Sequence, residues 1–203
     1  MFISTKKVAD LISEINEQVS NVYSDATKVS WINEVEQELY RDVIEDYTEH
    51  VFTVADADTD VPIALSYLDG GNTVTFLFED IRKIEVKHGT GKYEEYSPTS
   101  LAYVPESSFY KVDERLGYSD PKDGDSVKVV FRRIPATKLV ANKDADFLSL
   151  PDRSLKLYKY YAFAQILLLK KEYAESNNWI QLYNAEIEDF RLWYFENKPT
   201  YGG

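Results

Sequence analysis

Apolar residues in the first fifty positions return at three- and four-residue steps. Val8, Leu11, Ile12, Ile15 and Val19 share one face behind Ser4. A serine hydroxyl there can accept from an unpaired first-turn N–H, so the spacing predicts a helix from Thr5 to Val19. The polar stretch 21–29 reads as a connection leading to a second cap, Ser30, after which Trp31, Ile32, Val35, Leu39, Val43 and Ile44 recur in helical register. The opposite face of this second helix carries Glu34, Glu36, Glu38, Asp42, Glu45 and Asp46, an amphipathic pattern with an acidic exterior.

From Val51 the period shortens to β-rich runs, 51–54, 63–68 and 73–78, separated by turn residues. Asp69-Gly70-Gly71-Asn72 predicts a hairpin between the last two. Residues 81–87 alternate in part, Gly89-Thr90-Gly91 is a turn, and 92–96 form another short strand. Residues 97–125 hold Pro98, Pro105 and Pro121 and read as a long loop with one strand, 109–112, inside it. The run 126–134, closed by Pro135, is the clearest strand.

Helical spacing then returns, opened by Pro151 and Asp152. Leu155, Tyr158, Ala162, Ile166 and Leu169 line one face of a third helix, while Leu157, Tyr161, Ala164, Leu167 and Leu168 cover much of the rest. A helix apolar nearly all round is expected to be covered on more than one side. A fourth helix follows Asn177-Asn178, with Trp179, Tyr183, Ile187, Phe190 and Tyr194 in register, and ends before Pro199. The expected fold class is α+β: a helical bundle of two N-terminal helices and a C-terminal helical hairpin, with an inserted, mainly antiparallel β segment. The corresponding domains are 1–50 with 150–198, an inserted β domain 51–149 containing the loop 97–125, and a tail 199–203.

Composition narrows the function. With 203 residues, 44% hydrophobic and 29% charged, the chain can bury a core without cross-links. It has no Cys and two His, which excludes a disulfide framework, a cysteine-ligated zinc, an iron–sulfur cluster and a thiol nucleophile, and fits a reducing compartment. The first fifteen residues lack the unbroken apolar run of a signal peptide, and the most apolar stretch, 160–169, is too short to span a bilayer. A soluble, unsecreted protein is expected. Acidic residues number 35 against 23 basic, a net charge of -12, and residues 1–50 alone hold 11 acidic and 4 basic. Affinity for nucleic acid comes from neutralised phosphates, so this balance excludes a general DNA grip and describes instead a surface to which passing DNA does not stick.

No site chemistry emerges from the motifs. Asp56, Asp58 and Asp60 alternate as in a calcium loop, but Val61 and Tyr67 stand where that loop needs its glycine and its bidentate glutamate. Gly89-Thr90-Gly91-Lys92 lacks the spacing of a phosphate loop. His50 and His88 cannot be assembled into a nucleophile–base motif. Carboxylate pairs such as Glu34 with Glu38, or Glu186 with Asp189, sit at helical spacing on polar faces. No catalytic residue, metal or cofactor is therefore assigned, and the protein is read as a non-enzyme. Arg153, Lys156 and Lys159 open the third helix, where the dipole disfavours cations, so either Asp144, Asp146 or Asp152 or an acidic partner surface should compensate. Trp31, Trp179 and Trp193 fall in apolar helical register, as core or subunit contacts rather than sugar-stacking residues.

The order of these elements resembles the head-tail adaptor (connector) proteins of tailed bacteriophages. The resemblance is carried by Ser30-Trp-Ile-Asn-Glu-Val-Glu-Gln-Glu-Leu-Tyr40, by 76–86, by Leu150-Pro151-Asp152 and 160–167, and by the Tyr- and Trp-rich last helix. It implies a structural virion protein at the head–tail junction, assembled in the host cytoplasm as a homo-oligomeric ring, twelve subunits in the family pattern. Its partners would be the portal protein and a tail or tail-completion protein, with DNA passing through the lumen without specific binding and no membrane involved. On that reading Glu34, Glu38, Asp42 and Glu45 face the lumen, and Leu157, Tyr161, Ala164 and Leu168 form the subunit interface. Arg153, Lys156, Lys159, Lys198, Pro199 and Tyr201 contact the portal or a neighbour. Two other classes stay open from the residues themselves: a β-sandwich ligand- or glycan-binding module, and an acidic DNA-mimic inhibitor.

Overall fold

A computed structural model describes residues 4–69 and 72–197. Among them are helices α1 (Val8–Gln18), α2 (Asp25–Asp42), α3 (Ala57–Asp60), α4 (Leu155–Leu169) and α5 (Tyr173–Asn197). The strands are β1 (Tyr47–Val54), β2 (Ile63–Ala64), β3 (Ser66–Asp69), β4 (Asn72–Thr75), β5 (Ile81–Lys87), β6 (Glu94–Pro98), β7 (Ser108–Val112), β8 (Arg115–Tyr118) and β9 (Asp125–Arg132). The chain divides into two compact units, one from residues 1–45 with 135–203 and one from 46–134.

In the first unit α4 packs on α5, α2 and α1. α1 buries Val8, Leu11, Ile12 and Ile15, as its spacing requires, but it starts later than expected. Ser4 does not cap it. The Ser4 hydroxyl donates to Asp152 Oδ1 (2.7 Å), and the first-turn N–H groups of Val8 and Ala9 donate instead to the carbonyls of Asp146 and Lys143. A tertiary contact has replaced the local cap. α2 begins earlier than expected because Ser24, not Ser30, accepts from an N–H of the first turn, that of Thr27 (3.2 Å). Glu36 and Asp46, placed by periodicity on the acidic exterior, are both buried.

α5 also starts earlier, at Tyr173, and runs straight through Asn177-Asn178. Two asparagines are weak helix formers, but the neighbouring Ser176 is buried and its hydroxyl donates to the Ala164 carbonyl (2.9 Å), so packing on α4 overrides propensity. The α4–α5 turn places Lys171 at φ 65°, in the left-handed region. Lys171→Gly should therefore stabilise the protein by about 1 kcal/mol, read as a raised melting temperature. An unchanged or lowered melting temperature would show that the turn carries no such strain.

The second unit corrects the expected fold class. The chain is α+β, but it is not a helical bundle with a modest antiparallel insertion: five helices accompany a seven-stranded sheet of order β1-β9-β5-β6-β7-β8-β2, with β3 and β4 forming a separate ribbon. The sheet is mixed, because β6 and β7 run parallel. β9 is the strand that alternation predicts. Asp125, Val127, Val129 and Phe131 are buried, and the intervening residues partly exposed, while β1 and β5 pair on either side. The run 63–68 is broken at Leu65, so that β2 joins β8 and β3 turns back on β4, giving the hairpin expected around Asp69. Phe76 stacks on Phe131 with ring centres 3.9 Å apart, joining the ribbon end to the core of the sheet.

The segment 97–125 is not one long loop. It contains β7 and β8, a hairpin whose cross-strand pair Tyr110 and Gly117 explains a glycine in a strand: a Cβ at Gly117 would lie 2.4 Å from the Tyr110 ring. Both strands escape a period-two reading because Ser108 and Phe109 are buried in succession, as are Leu116, Gly117 and Tyr118.

Candidate functional site

α2 carries two polar faces with different tasks. Inward, Asn33, Glu36 and Tyr40 grip the returning chain. Asn33 donates to the Lys138 carbonyl (3.0 Å) and accepts from its N–H (2.7 Å), Tyr40 donates to the Ser149 carbonyl (3.0 Å), and Glu36 Oε1 accepts from the Ser149 N–H (2.7 Å). Glu36 Oε1 also accepts from the buried Tyr158 hydroxyl (2.9 Å), and Lys138 Nζ lies 4.0 Å from its other oxygen. Burial first, then the Glu36 carboxylate, raises the Tyr158 pKa well above the ordinary phenol value, so this hydroxyl stays a donor.

Outward, Glu34, Glu38, Asp42 and Glu45 are all exposed, at steps of four, four and three along α2 and just past its end. Two of them are held from the hairpin. Tyr161 on α4 donates to Glu34 Oε2 (2.6 Å), and Tyr183 on α5 donates to Glu38 Oε2 (2.7 Å). Ser30 donates to the other Glu34 oxygen (3.1 Å), and the two tyrosine rings lie 5.3 Å apart. Both phenols are raised above their ordinary pKa, first by burial and then by the hydrogen bond to the carboxylate. The arrangement fixes the position of two carboxylates without cancelling their charge, because a neutral donor holds each.

The residues assigned to a subunit interface separate. Leu157 and Ala164 are buried in their own unit, Tyr161 braces Glu34, and Leu168 remains 44% exposed. Leu169 and Tyr173 are exposed beside it in sequence. The basic stripe finds partners inside the chain, but not the expected ones. Arg153 pairs with Asp189 (3.0 Å) and lies over Trp193, Lys156 approaches Glu186 (3.9 Å), and Lys159 pairs with Glu14 (2.7 Å). Asp152 is occupied by Ser4 and Thr5, whose hydroxyls hold its carboxyl below the usual range. Lys198, Pro199 and Tyr201 lie outside the described residues. Of the tryptophans, Trp31 is buried, and Trp179 meets Phe163 edge-on at 5.0 Å.

The alternating aspartates form no ion site. Asp56 caps α3, Asp60 accepts from the N–H groups of Ala55 and Asp56, and no cluster of metal-ligating side chains occurs among the described residues. Sequence reasoning missed one buried polar cluster. Asp125, fully buried, accepts from His88 Nδ1 (2.8 Å), the Tyr118 hydroxyl (2.9 Å) and the Lys122 N–H (2.9 Å), while His88 Nε2 meets the Tyr96 hydroxyl (3.1 Å). It ties the ends of β5, β8 and β9 to the middle of β6. The sequence signal that exists, an Asp opening a strand of apolar alternation, is indistinguishable from a turn residue. His50 instead stacks flat on Tyr67 with centroids 3.8 Å apart.

The helical unit carries an ordered acidic face, and the sheet unit holds a buried polar cluster around Asp125. The chain matches the model of the family described as SU10 adaptor protein over residues 6–197 and belongs to that family, one of bacteriophage head–tail adaptors. Membership gives it a structural adaptor role among phage head and tail proteins and implies a virion component. No curated protein matches the chain. No helix among the described residues is long and apolar enough to cross a membrane.

Proposed function

We propose that the protein forms a ring between the capsid portal and the tail, with the acidic row of α2 turned to the channel through which DNA passes. The observation that supports this most is the row itself. Three exposed carboxylates follow one another at steps of four along α2 with Glu45 just past its end, and two are braced by tyrosines that leave the charge in place. A wall of fixed negative charge repels phosphates and keeps DNA hydrated and sliding, whereas lysines or arginines at the same spacing would hold it by counterion release. The portal protein on one side and a tail or tail-completion protein on the other are the partners this role requires.

The test neutralises the row without removing its hydrogen bonds. Glu34→Gln, Glu38→Gln, Asp42→Asn and Glu45→Gln together keep an oxygen for Tyr161 and Tyr183 to donate to. The expected result is normal melting and a normal yield of tailed particles, with slower genome release that becomes more sensitive to salt. Release indistinguishable from the parent would place the row elsewhere than the channel.

A further inference from the structure

The sheet unit exposes a knob and a cleft that its own chain leaves unmatched. The knob is the turn between the parallel strands β6 and β7. Leu101, Tyr103 and Val104 stand 59%, 72% and 39% exposed, far from the burial such side chains favour. This turn is ordered by its own bonds: the Tyr103 N–H donates to the Ser100 carbonyl (3.0 Å), the Thr99 hydroxyl to the Tyr103 carbonyl (2.7 Å), and the Thr99 N–H to the Phe109 carbonyl (2.8 Å). Holding three apolar side chains in water on a braced turn costs solvation without serving the fold, which is the mark of a preorganised contact.

The cleft, of about 640 Å³, opens between the start of the β3–β4 ribbon and the β7–β8 turn. Ala64, Leu65, Phe76, Leu77 and Val112 supply its apolar wall, and Ser66 and Thr75 line it as well. Knob and cleft sit at opposite ends of β7. Its five residues span about 16 Å at the usual rise, so the turn that precedes the strand cannot fold back into the cleft that follows it. Charge agrees with the match. Residues 99–105 carry none, Glu106 stands at the base of the knob, and Arg115 stands on the rim of the cleft beside Asp113 and Glu114, of which Glu114 is already paired with Lys111 (3.0 Å). Neither Glu106 nor Arg115 has an ion-pair partner among the described residues.

We propose that the 99–105 turn of one copy docks into the Ala64–Leu77–Val112 cleft of a second copy, with Glu106 facing Arg115. Two different patches meet, so the contact is head-to-tail, and repetition closes a ring or runs on as a filament. The proposal rests on the ring reading and names the surfaces that build it.

Three preparations of the full chain test it. A chain carrying Leu101→Ser and Tyr103→Ser has lost the knob, and a chain carrying Ala64→Arg has a blocked cleft. All three altered positions are exposed, so both variants should melt like the parent. Each should self-associate at least about ten-fold more weakly by light scattering. Mixed, they should form one-to-one dimers and nothing larger, because only one intact knob and one intact cleft remain. The third preparation uses the absence of native cysteine: Tyr103→Cys with Leu77→Cys in one chain should give an oxidised ladder of cross-linked copies, trapping even a weak contact. Oligomers that survive both surface variants, or that form without the ladder, overturn the docking and leave the ring standing. A parent that neither associates nor cross-links at high concentration overturns the docking and counts against a self-assembling ring as well.

Discussion

Asp125→Ala is expected to lower the stability of the protein by about 3–5 kcal/mol, a large part of what a domain has to lose. The carboxylate is fully buried and accepts three hydrogen bonds, from His88, Tyr118 and the Lys122 N–H. Its removal leaves the Tyr118 hydroxyl, equally buried, with its donor unmatched in an apolar core. Burial, the largest cause of the raised Tyr118 pKa, persists in the variant, so the phenol does not escape by ionising. Asp125→Asn should cost less, since an amide oxygen still accepts from two of the donors. Denaturant unfolding of the two variants checks the order. A loss under about 1 kcal/mol for the alanine variant would mean that water or a shifted side chain satisfies the cluster.

Glu36→Ala should be comparably severe, again about 3–5 kcal/mol, but in the helical unit. It strands the Ser149 N–H and the buried Tyr158 hydroxyl, leaving Asn33 and Tyr40 to hold the return segment to α2. Tyr158→Phe alone removes one donor to Glu36 and should cost only about 1 kcal/mol. The double variant Glu36→Ala, Tyr158→Phe should then be less damaged than the sum of its parts, because the phenol that Glu36→Ala would orphan is gone. Strict additivity in denaturant unfolding would remove the hydrogen bond from the account. Both expectations concern folding rather than docking, so neither variant is a suitable probe of assembly.

Particular residues show how far a sequence carries. The apolar stripe Val8, Leu11, Ile12, Ile15 is legible because burial on one face of a helix imposes a period of 3.6 whatever the face packs against. β9 is legible for the same reason at period two. Helix starts escape the sequence where a distant group replaces a cap, where a nearer serine caps instead, or where packing overrides propensity. The Asp146 and Lys143 carbonyls stand in for Ser4, and packing of Ser176 on α4 carries α5 through two asparagines. The sheet was underestimated because β7 and β8 bury successive residues on both sides, and neither strand order nor the parallel pairing of β6 with β7 leaves a local trace.

The candidate site divides in the same way. Acidic residues at steps of four and three on an amphipathic helix determine an acidic face, and the sequence alone places Glu34, Glu38, Asp42 and Glu45 upon it. It places Glu36 there as well, wrongly, because on a helix whose two polar faces are both acidic only the neighbours decide which carboxylate is buried. The braces on Glu34 and Glu38 come from tyrosines 127 and 145 residues away, and the partners of Arg153, Lys156 and Lys159 from α5 and α1 rather than from the nearby aspartates. Periodicity reports how much of an element is covered. Which residue covers it, and which charge is left outside, is set by chain segments far apart in sequence that meet only when each unit folds.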